Sequence, residues 1–161
     1  QSPSSWKKIG GYNWENCPYN GGSSSVNSTF WKTNMSECVD GKNVLLAKND
    51  AAYVILGGKW KIPTKEEFIE LRDNCNINWT TQNGVRGRKF TSKKNGISIF
   101  FPAAGYRRDT NLSEVGYEGY YWSSTNYSFQ GAWYMYFSWE THGTYWDSYR
   151  YWGLPIRPVC D

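Results

Sequence analysis

The stretch PTKEEFIELRDNC, residues 63–75, carries the clearest local signal in the chain. Thr64 is followed three residues later by Glu67, which is the pattern of a capping box at the start of a helix. Phe68 shares a helical face with the leucine three residues further on, so one side of this helix can pack against a core. The pattern predicts one main capped helix over residues 64–74.

Short strand candidates follow the helix and are separated by turn signals. They lie at residues 85–92, 97–101, 120–122, 132–139 and 154–159. Asn-Gly dipeptides at 83–84 and 95–96 favour tight turns, so the first two candidates are expected to pair as a hairpin. One main helix with short antiparallel strands and long loops predicts an α+β fold class.

The length of 161 residues fits a single domain over 1–161. Glycine, serine and asparagine are frequent in residues 1–43, which indicates a loop-rich N-terminal segment. No apolar run approaches the roughly 18 residues of a membrane-spanning helix, so we expect no transmembrane segment in this chain.

Aromatic residues make up 19% of the chain, with 10 Trp and 13 Tyr. Tyrosine and tryptophan carry polar atoms as well as large rings, which favours partly hydrated surfaces such as binding sites. The alternation within residues 132–139 places Trp133, Met135 and Phe137 on one face of a strand. We expect Trp122, Trp133 and Phe137 to lie in the core.

Large aromatic residues occupy adjacent positions near the C-terminus, so a two-residue period cannot turn all of them toward one core. Exposed Tyr and Trp side chains make contacts at a low entropy cost because few of their bonds rotate. The candidate ligand-binding residues are Phe129, Gln130, Trp139, Glu140, His142, Thr144, Tyr145, Trp146, Asp147, Ser148, Tyr149 and Trp152. We expect their ligand to be a protein or a glycan on another cell or surface.

The net charge of +4 raises the question of nucleic-acid binding. Binding to a phosphate backbone requires several basic residues interleaved with the stacking aromatic residues. The aromatic-rich stretch 120–152 contains only Arg150 as a base, against Glu140 and Asp147 as acids. Nucleic acid is therefore not an expected partner.

The four cysteines are Cys17, Cys38, Cys75 and Cys160, and they permit three disulfide connectivities. They lack C-x-x-C spacing and His142 is the only histidine, so no zinc site is expected. The chain has no nucleophile elbow, metalloprotease helix or phosphate-binding loop. The sequence predicts a protein that is not an enzyme and that uses no metal and no cofactor.

A series of motifs falls in one order along the chain: GGKWKIPT (57–64), EF (67–68), NG (95–96), IFFPAAGYR (99–107), YYWSS (120–124) and RPV (157–159). This series resembles the bacterial "major paralogous domain", a family abundant on the surfaces of gut bacteria. The resemblance covers about residues 44–161 and implies a C-type lectin-like fold, which is shared with formylglycine-generating enzymes. It also implies an extracellular or bacterial outer-surface location.

The resemblance implies a pairing for the cysteines as well. Domains of the C-type lectin-like fold commonly join the first helix to the last strand by a disulfide. Cys75 closes the predicted helix and Cys160 closes the last predicted strand, so this pair carries over, and Cys17 would then pair with Cys38.

Some proteins of this kind resemble the variable proteins of diversity-generating retroelements, which display mutable side chains near the C-terminus. Residues 128–152 occupy the matching position. Mutable positions in such proteins are often asparagine codons altered at adenines. Gln130, Trp139 and Glu140 do not arise from an AAC codon by adenine changes alone, although other template codons, such as AGG for tryptophan, would supply some of these residues.

The function predicted from these features is a secreted or surface-displayed ligand-binding module, similar to an adhesin, with an aromatic C-terminal face over residues 128–152. The resemblance implies that this face is diversified by a retroelement. The alternatives are a metal-independent carbohydrate-binding protein and a structural component of a surface fibre. A formylglycine-generating oxidase fits less well because those enzymes use two reactive cysteines near the C-terminus and only Cys160 is present there. The calcium-binding Glu-Pro-Asn, Gln-Pro-Asp and Trp-Asn-Asp motifs of sugar-binding lectins are absent. The oligomeric state is not fixed by the sequence.

Overall fold

The fold is that of a computed structural model, which describes residues 37–108, 111–128, 131–149 and 152–160, with backbone only for 144–149. A 3-10 turn at Ala47–Asn49 is followed by helices α1 (Ala51–Leu56) and α2 (Lys65–Asn74). The strands are β1 (Trp60–Lys61), β2 (Cys75–Gln82), β3 (Val85–Ser92), β4 (Ser98–Pro102), β5 (Tyr106–Arg108), β6 (Asn111–Ser113), β7 (Gly119–Asn126), β8 (Gly131–Phe137), β9 (His142–Tyr149) and β10 (Val159–Cys160).

These strands form four small sheets within the described part of the chain. Two sheets have three strands, in the orders β2-β3-β4 and β7-β8-β9, and two have two strands, β1-β10 and β5-β6. Every pairing is antiparallel. The expected pairing of residues 85–92 with 97–101 is confirmed by β3 and β4, whose register joins Phe90 to Ile99.

The predicted capping box is present at the start of α2. The Thr64 hydroxyl accepts a hydrogen bond from the Glu67 amide at 3.1 Å, and the Glu67 carboxylate accepts one from the Thr64 amide at 2.7 Å. The helix ends at Asn74 because Cys75 adopts an extended conformation and enters β2 with no intervening loop. Phe68 is the fully buried residue of this helix.

The expected α+β class built on one main helix, which the resemblance linked to a C-type lectin-like fold, is wrong. The chain is mostly β, with several small sheets and two short helices in the part that the structure describes. Helix α1 was not expected; it is capped by the buried Asp50, whose carboxylate accepts hydrogen bonds from the amides of Ala52 and Tyr53. The helical signal of residues 64–74 is local, whereas the long strands β2, β3, β7, β8 and β9 make up most of the fold.

The core is built around Phe101, which is 1% exposed. Its ring lies 5.0 Å from that of Phe90, 5.1 Å from that of Tyr121 and 6.5 Å from that of Phe68. The core therefore joins α2 to both three-stranded sheets. Phe137 belongs to the same cluster, as the sequence predicted.

Two other core predictions are wrong. Trp122 is half-buried on the opposite face of β7 from Tyr121. Trp133 is also half-buried, with the Lys65 ammonium 3.6 Å from the centre of its ring and Tyr127 edge-on to it. Strand alternation assigned Trp133 correctly to the face of Met135 and Phe137, but it does not indicate how much of that face is covered. Trp122 lies on the outer face, because its neighbour Tyr121 points into the core.

No helix among the described residues is long and apolar enough to cross a membrane. This agrees with the expectation that the chain has no transmembrane helix.

Replacing Phe101 with alanine removes the ring that joins α2 to the two large sheets. We expect a loss of about 3–5 kcal/mol in the free energy of unfolding, because a large cavity would remain at the centre of the core. Chemical denaturation measures this loss. Tyr117→Ala, at a position that is 61% exposed, is the matched control and is expected to change stability by less than about 1 kcal/mol.

Candidate functional site

The two faces of the β7–β8 pair have different roles. Tyr121 and Met135 point into the core, together with Phe137. The alternate residues form two cross-strand pairs on the other face, Tyr120 with Tyr136 and Trp122 with Tyr134. An antiparallel sheet that packs one face on a core usually turns polar residues outward on the other, so an outer face made of large aromatic residues is unusual.

The aromatic residues of this outer face are in contact with one another and with two neighbours from other segments. We define the aromatic face by Tyr106, Tyr120, Trp122, Tyr134, Tyr136 and Trp152. The Tyr120 ring is central, with ring centres 5.1 Å from Tyr106, 5.6 Å from Tyr134 and 5.2 Å from Tyr136. All six side chains are half-buried, so they are held in place while they keep surface open to solvent.

The carboxylate of Glu118 accepts hydrogen bonds from two of these tyrosine hydroxyls. The Tyr136 hydroxyl donates to one carboxylate oxygen at 2.7 Å, and the Tyr120 hydroxyl donates to the other. Burial, and then the hydrogen bond to Glu118, raise the pKa of Tyr136 to about 12 and also raise the pKa of Tyr120. Both phenols therefore remain neutral at physiological pH and their rings are fixed by a shared acceptor.

Among the predicted ligand-binding residues whose side chains the structure describes, Trp152 is the one that joins the aromatic face. Its ring stacks on Tyr106 at 5.0 Å with an angle of 13° between the planes, and the Arg108 guanidinium lies 5.8 Å from its centre. The next residue, Gly153, exchanges two backbone hydrogen bonds with Arg107, at 2.8 and 2.9 Å. The indole nitrogen is buried and has no acceptor among the described residues.

Trp139 and Glu140 lie in the turn between β8 and β9, beyond the Tyr136 end of the aromatic face. Trp139 is 66% exposed and Glu140 is also exposed. The Ser138 hydroxyl accepts hydrogen bonds from the amides of Glu140 and Thr141, each at 3.2 Å, and the Ser138 amide donates to the Thr141 carbonyl at 2.8 Å. The turn is thus a tight structure that presents one large apolar side chain.

The buried guanidinium of Arg88 forms hydrogen bonds with the backbone of this turn. Arg88 is 6% exposed and donates to the carbonyls of Ser138 at 3.0 Å, Trp139 at 2.9 Å and Thr141 at 3.5 Å. Burial lowers the pKa of Arg88 from its ordinary value, but a guanidinium remains protonated in proteins. A charge from β3 therefore fixes the backbone on which Trp139 is displayed.

His142 begins β9 next to this turn and its side chain is exposed. Partial desolvation, followed by the charges of Arg88 and Arg72, lowers its pKa. The adjacent Gly143 packs against the Arg72 side chain, where an added Cβ would lie 2.5 Å from the Arg72 Cδ.

The other predicted ligand-binding residues are described only in part. Phe129 and Gln130 lie outside the described residues. The backbone of Thr144, Tyr145, Trp146, Asp147, Ser148 and Tyr149 forms β9, which pairs with β8 in the register Tyr134 with Trp146. The structure therefore brings Trp139, Glu140, His142 and Trp152 to the region of β8 and the aromatic face, and it leaves the side chains from 144 to 149 unassigned.

The site residues predicted from the sequence do not include Tyr106, Tyr120, Tyr134, Tyr136 or Glu118. The signal that would have found the tyrosines is the alternation within β7 and β8. Once one set of alternate residues is assigned to the core, the other set must point outward. Glu118 carries no such signal, because its role depends on two strands meeting beside it.

The expected disulfide between Cys75 and Cys160 is not formed in the structure, and the pairing of Cys17 with Cys38 stays a prediction. Cys38 and Cys75 are buried thiols. Cys75 lies where α2 meets β2, while Cys160 is exposed and pairs through its backbone with Trp60. Cys75 and Val159, the residue before Cys160, both line a groove of about 730 Å³. Cys17 lies outside the described residues.

No group of three His, Cys, Asp or Glu residues that could hold a metal ion occurs in the described ranges.

Residues 78–159 match the family described as "Domain of unknown function (DUF8237)". The chain belongs to this family. No curated protein and no solved structure matches the chain. The DUF8237 region includes all six residues of the aromatic face, Arg88 and the turn that carries Trp139, whereas α1 and α2 lie before it.

Replacing Arg88 with methionine keeps most of the buried volume but removes the guanidinium donor of the Ser138 and Trp139 carbonyls, whereas the Thr141 carbonyl keeps the Ser138 amide. We expect the free energy of unfolding to fall by about 3 kcal/mol, because unsatisfied buried polar groups are costly. Hydrogen exchange at the amides of Glu140 and Thr141 is expected to accelerate. Arg86→Met, two residues away and exposed, is the matched control; equal effects of the two substitutions would contradict the role of Arg88.

The lowered pKa of His142 predicts a pH dependence of stability. Below its ordinary pKa of 6.5 the unfolded chain binds a proton more readily than the folded chain does. Stability contributed by neutral His142 is therefore complete above this value and is lost as the pH falls toward the lower folded pKa. Urea denaturation between pH 7.5 and about pH 5 tests this, and His142→Gln is expected to reduce the slope.

Proposed function

We propose that the chain is a secreted or surface-displayed ligand-binding module that binds a macromolecule. A protein is favoured over a glycan as this ligand. The observation that carries this proposal is the outer face of β7 and β8, where alternate residues are aromatic rings instead of polar side chains. A partly exposed surface of this composition is characteristic of recognition sites, which are enriched in Tyr, Trp and Arg.

The geometry supports binding at a low entropy cost. The ring of Tyr120 is held by neighbouring rings, and the hydroxyls of Tyr120 and Tyr136 are held by Glu118. Side chains already ordered in the free protein lose little freedom when a ligand binds. The guanidinium of Arg108 at the edge of the face supplies a charged donor beside Trp152.

Protein is favoured over glycan because most of the rings pack edge-on or tilted against one another. Such an arrangement offers a ridged surface that suits the side chains of a protein partner. Trp139, which is 66% exposed, is the residue that supports the second candidate, a metal-independent carbohydrate-binding protein, because an open indole can stack on a sugar. The proposed role is non-catalytic, at the outer surface of a bacterial cell or outside it.

We also propose that the chain is related to the "major paralogous domain" and to retroelement-diversified variable proteins. The motif series of residues 57–64, 99–107 and 120–124 supports this relation. Sequencing of the coding region across a natural host population tests it. Substitutions concentrated at adenines in the codons for residues 128–152 are expected, and evenly scattered variation would rule out diversification.

The binding role predicts a selective effect of truncating the face. The chain is applied to parallel arrays of purified cell-surface proteins and of glycans. Tyr134→Ala and Trp139→Ala are each expected to weaken binding to the retained ligand by roughly 10- to 100-fold, as for residues at the centre of an interface. The melting temperature of Trp139→Ala is expected to stay unchanged, since its side chain is exposed.

Tyr117→Ala provides the control, since Tyr117 is an exposed tyrosine that lies outside the aromatic face. It should leave affinity unchanged. If Tyr134→Ala binds as well as the unmodified chain, the aromatic face is not the binding site, and if Trp139→Ala does so, the turn beside the face takes no part in binding. Retention on the glycan array alone would favour the second candidate function.

A further inference from the structure

The groove that Cys75 and Val159 line is not used by the proposed binding site. Its volume of about 730 Å³ lies within the range of roughly 300–1,000 Å³ that is typical of ligand pockets. We name it the α2 groove, because several of its lining residues belong to α2. None of its lining residues belongs to the aromatic face. Its apolar lining includes Phe68, Leu71, Ile99, Phe101, Pro158 and Val159.

One charged group of this lining has no hydrogen-bond acceptor and no ion-pair partner among the described residues. It is the guanidinium of Arg157, which is half-buried and whose Cζ lies 5.6 Å from the centre of the Phe101 ring. A guanidinium has five N–H donors and remains protonated in proteins. The Phe101 ring attracts the charge, but it supplies none of the oxygen acceptors that these donors would find in water. Arg157 is therefore able to bind an anion.

The backbone on both sides of Arg157 is held by other strands. Two residues before it, the Pro155 carbonyl accepts a hydrogen bond from the Trp122 amide of β7 at 3.0 Å. Two residues after it, Val159 pairs with Lys61 in the sheet of β1 and β10. The position of Arg157 is thus fixed before a ligand binds, which lowers the ordering cost of an ion pair.

The acidic groups that line the α2 groove do not neutralise Arg157. One carboxylate oxygen of Glu67 lies 2.9 Å from the Lys61 ammonium, and the other accepts the backbone amide of the capping box. Glu70 is exposed and forms no ion pair with a described residue. Burial raises the pKa of the Cys75 thiol, so this group stays neutral at physiological pH. Arg157 is therefore a half-buried positive charge without a counter-ion.

We propose that the α2 groove binds a small amphipathic carboxylate, whose carboxylate group pairs with Arg157 and whose apolar tail packs on the apolar lining. A planar guanidinium matches a carboxylate through two parallel hydrogen bonds. The apolar lining removes the tail from water, which is the favourable contribution that a free carboxylate lacks. Lys94, an exposed base of the same lining, adds a second positive charge. This site is independent of the proposed function of the aromatic face.

Titrations of the unmodified chain with octanoate, octanol and acetate test both parts of the proposal. Octanoate has the tail and the carboxylate, octanol has the tail alone, and acetate has the carboxylate alone. We expect saturable octanoate binding, with octanol and acetate each weaker by about 10-fold or more, because a hydrogen bond to a charged group and the burial of a tail each contribute this much.

Methyl NMR spectra recorded during the titrations locate the site. Octanoate is expected to shift the methyl signals of Leu71, Ile99 and Val159, which line the α2 groove. The methyl signals of Leu112, an exposed leucine of β6 outside the groove, are expected to stay unchanged. Equal affinity for octanoate and octanol, or shifts confined to methyl groups outside the groove, would overturn the proposal.

Arg157→Met removes the guanidinium and keeps an unbranched apolar side chain. We expect its octanoate affinity to fall by about 10-fold or more, to that of octanol, while octanol binding is retained. Retained octanol binding shows that the groove is intact, so the loss is that of the carboxylate contact. Arg86→Met, at an exposed position outside the groove, is the matched control and is expected to bind octanoate normally.

Arg157→Lys keeps the experiment decisive if the methionine variant does not fold. Lysine retains the charge without the two parallel hydrogen bonds, so an intermediate octanoate affinity is expected. Unchanged octanoate affinity in the folded Arg157 variant, or a larger loss in Lys94→Met than in that variant, would show that Arg157 does not hold the carboxylate. Binding through the aromatic face is measured separately, and its failure leaves these results unaffected.

Discussion

Packing around Phe101 determines which residues the molecule can present to its surroundings. Its ring contacts those of Phe68 from α2, Phe90 from β3 and Tyr121 from β7, so one cluster holds together a helix and two sheets. Tyr121 can reach this cluster only if the residues beside it, Tyr120 and Trp122, turn outward. The aromatic face is therefore a direct consequence of how the core is filled.

The same dependence extends to the Trp139 turn. Phe137 is buried in the core cluster, and its partner in the register of β7 is Gly119. An added Cβ at Gly119 would lie 2.0 Å from the Phe137 ring, so only glycine fits at this contact. Directly after Phe137 the chain leaves the core, and Arg88 fixes the carbonyls of the turn. A rigid turn with an exposed indole thus follows from the buried end of β8.

Local signals in the sequence predicted local structure well. The capping box of Thr64 and Glu67 and the hairpin of residues 85–101 both depend on contacts between residues close in the chain. The fold class was missed because the balance of helix and strand depends on long-range pairing, above all that of β7, β8 and β9. The short capped helix α1 was missed because its apolar residues show no single buried stripe.

The candidate site could be predicted in position but not in composition. Adjacent aromatic residues near the C-terminus indicated that some of them must be exposed. Trp139 is exposed in the turn after β8, and Trp152 is a half-buried member of the aromatic face. Tyr106 comes from a distant segment and joins the face through its stack on Trp152 and its contact with Tyr120. Contacts of this kind depend on the three-dimensional fold and leave no periodic trace in the sequence.

The most direct measurement is the hydrogen-exchange footprint of the chain bound to a protein retained from the surface-protein array. Slower exchange is expected in β7, β8 and the turn at residues 138–141, with α1 unchanged. Protection confined to α1 or to the groove beside α2, with unchanged exchange in β7 and β8, would contradict recognition through the aromatic face.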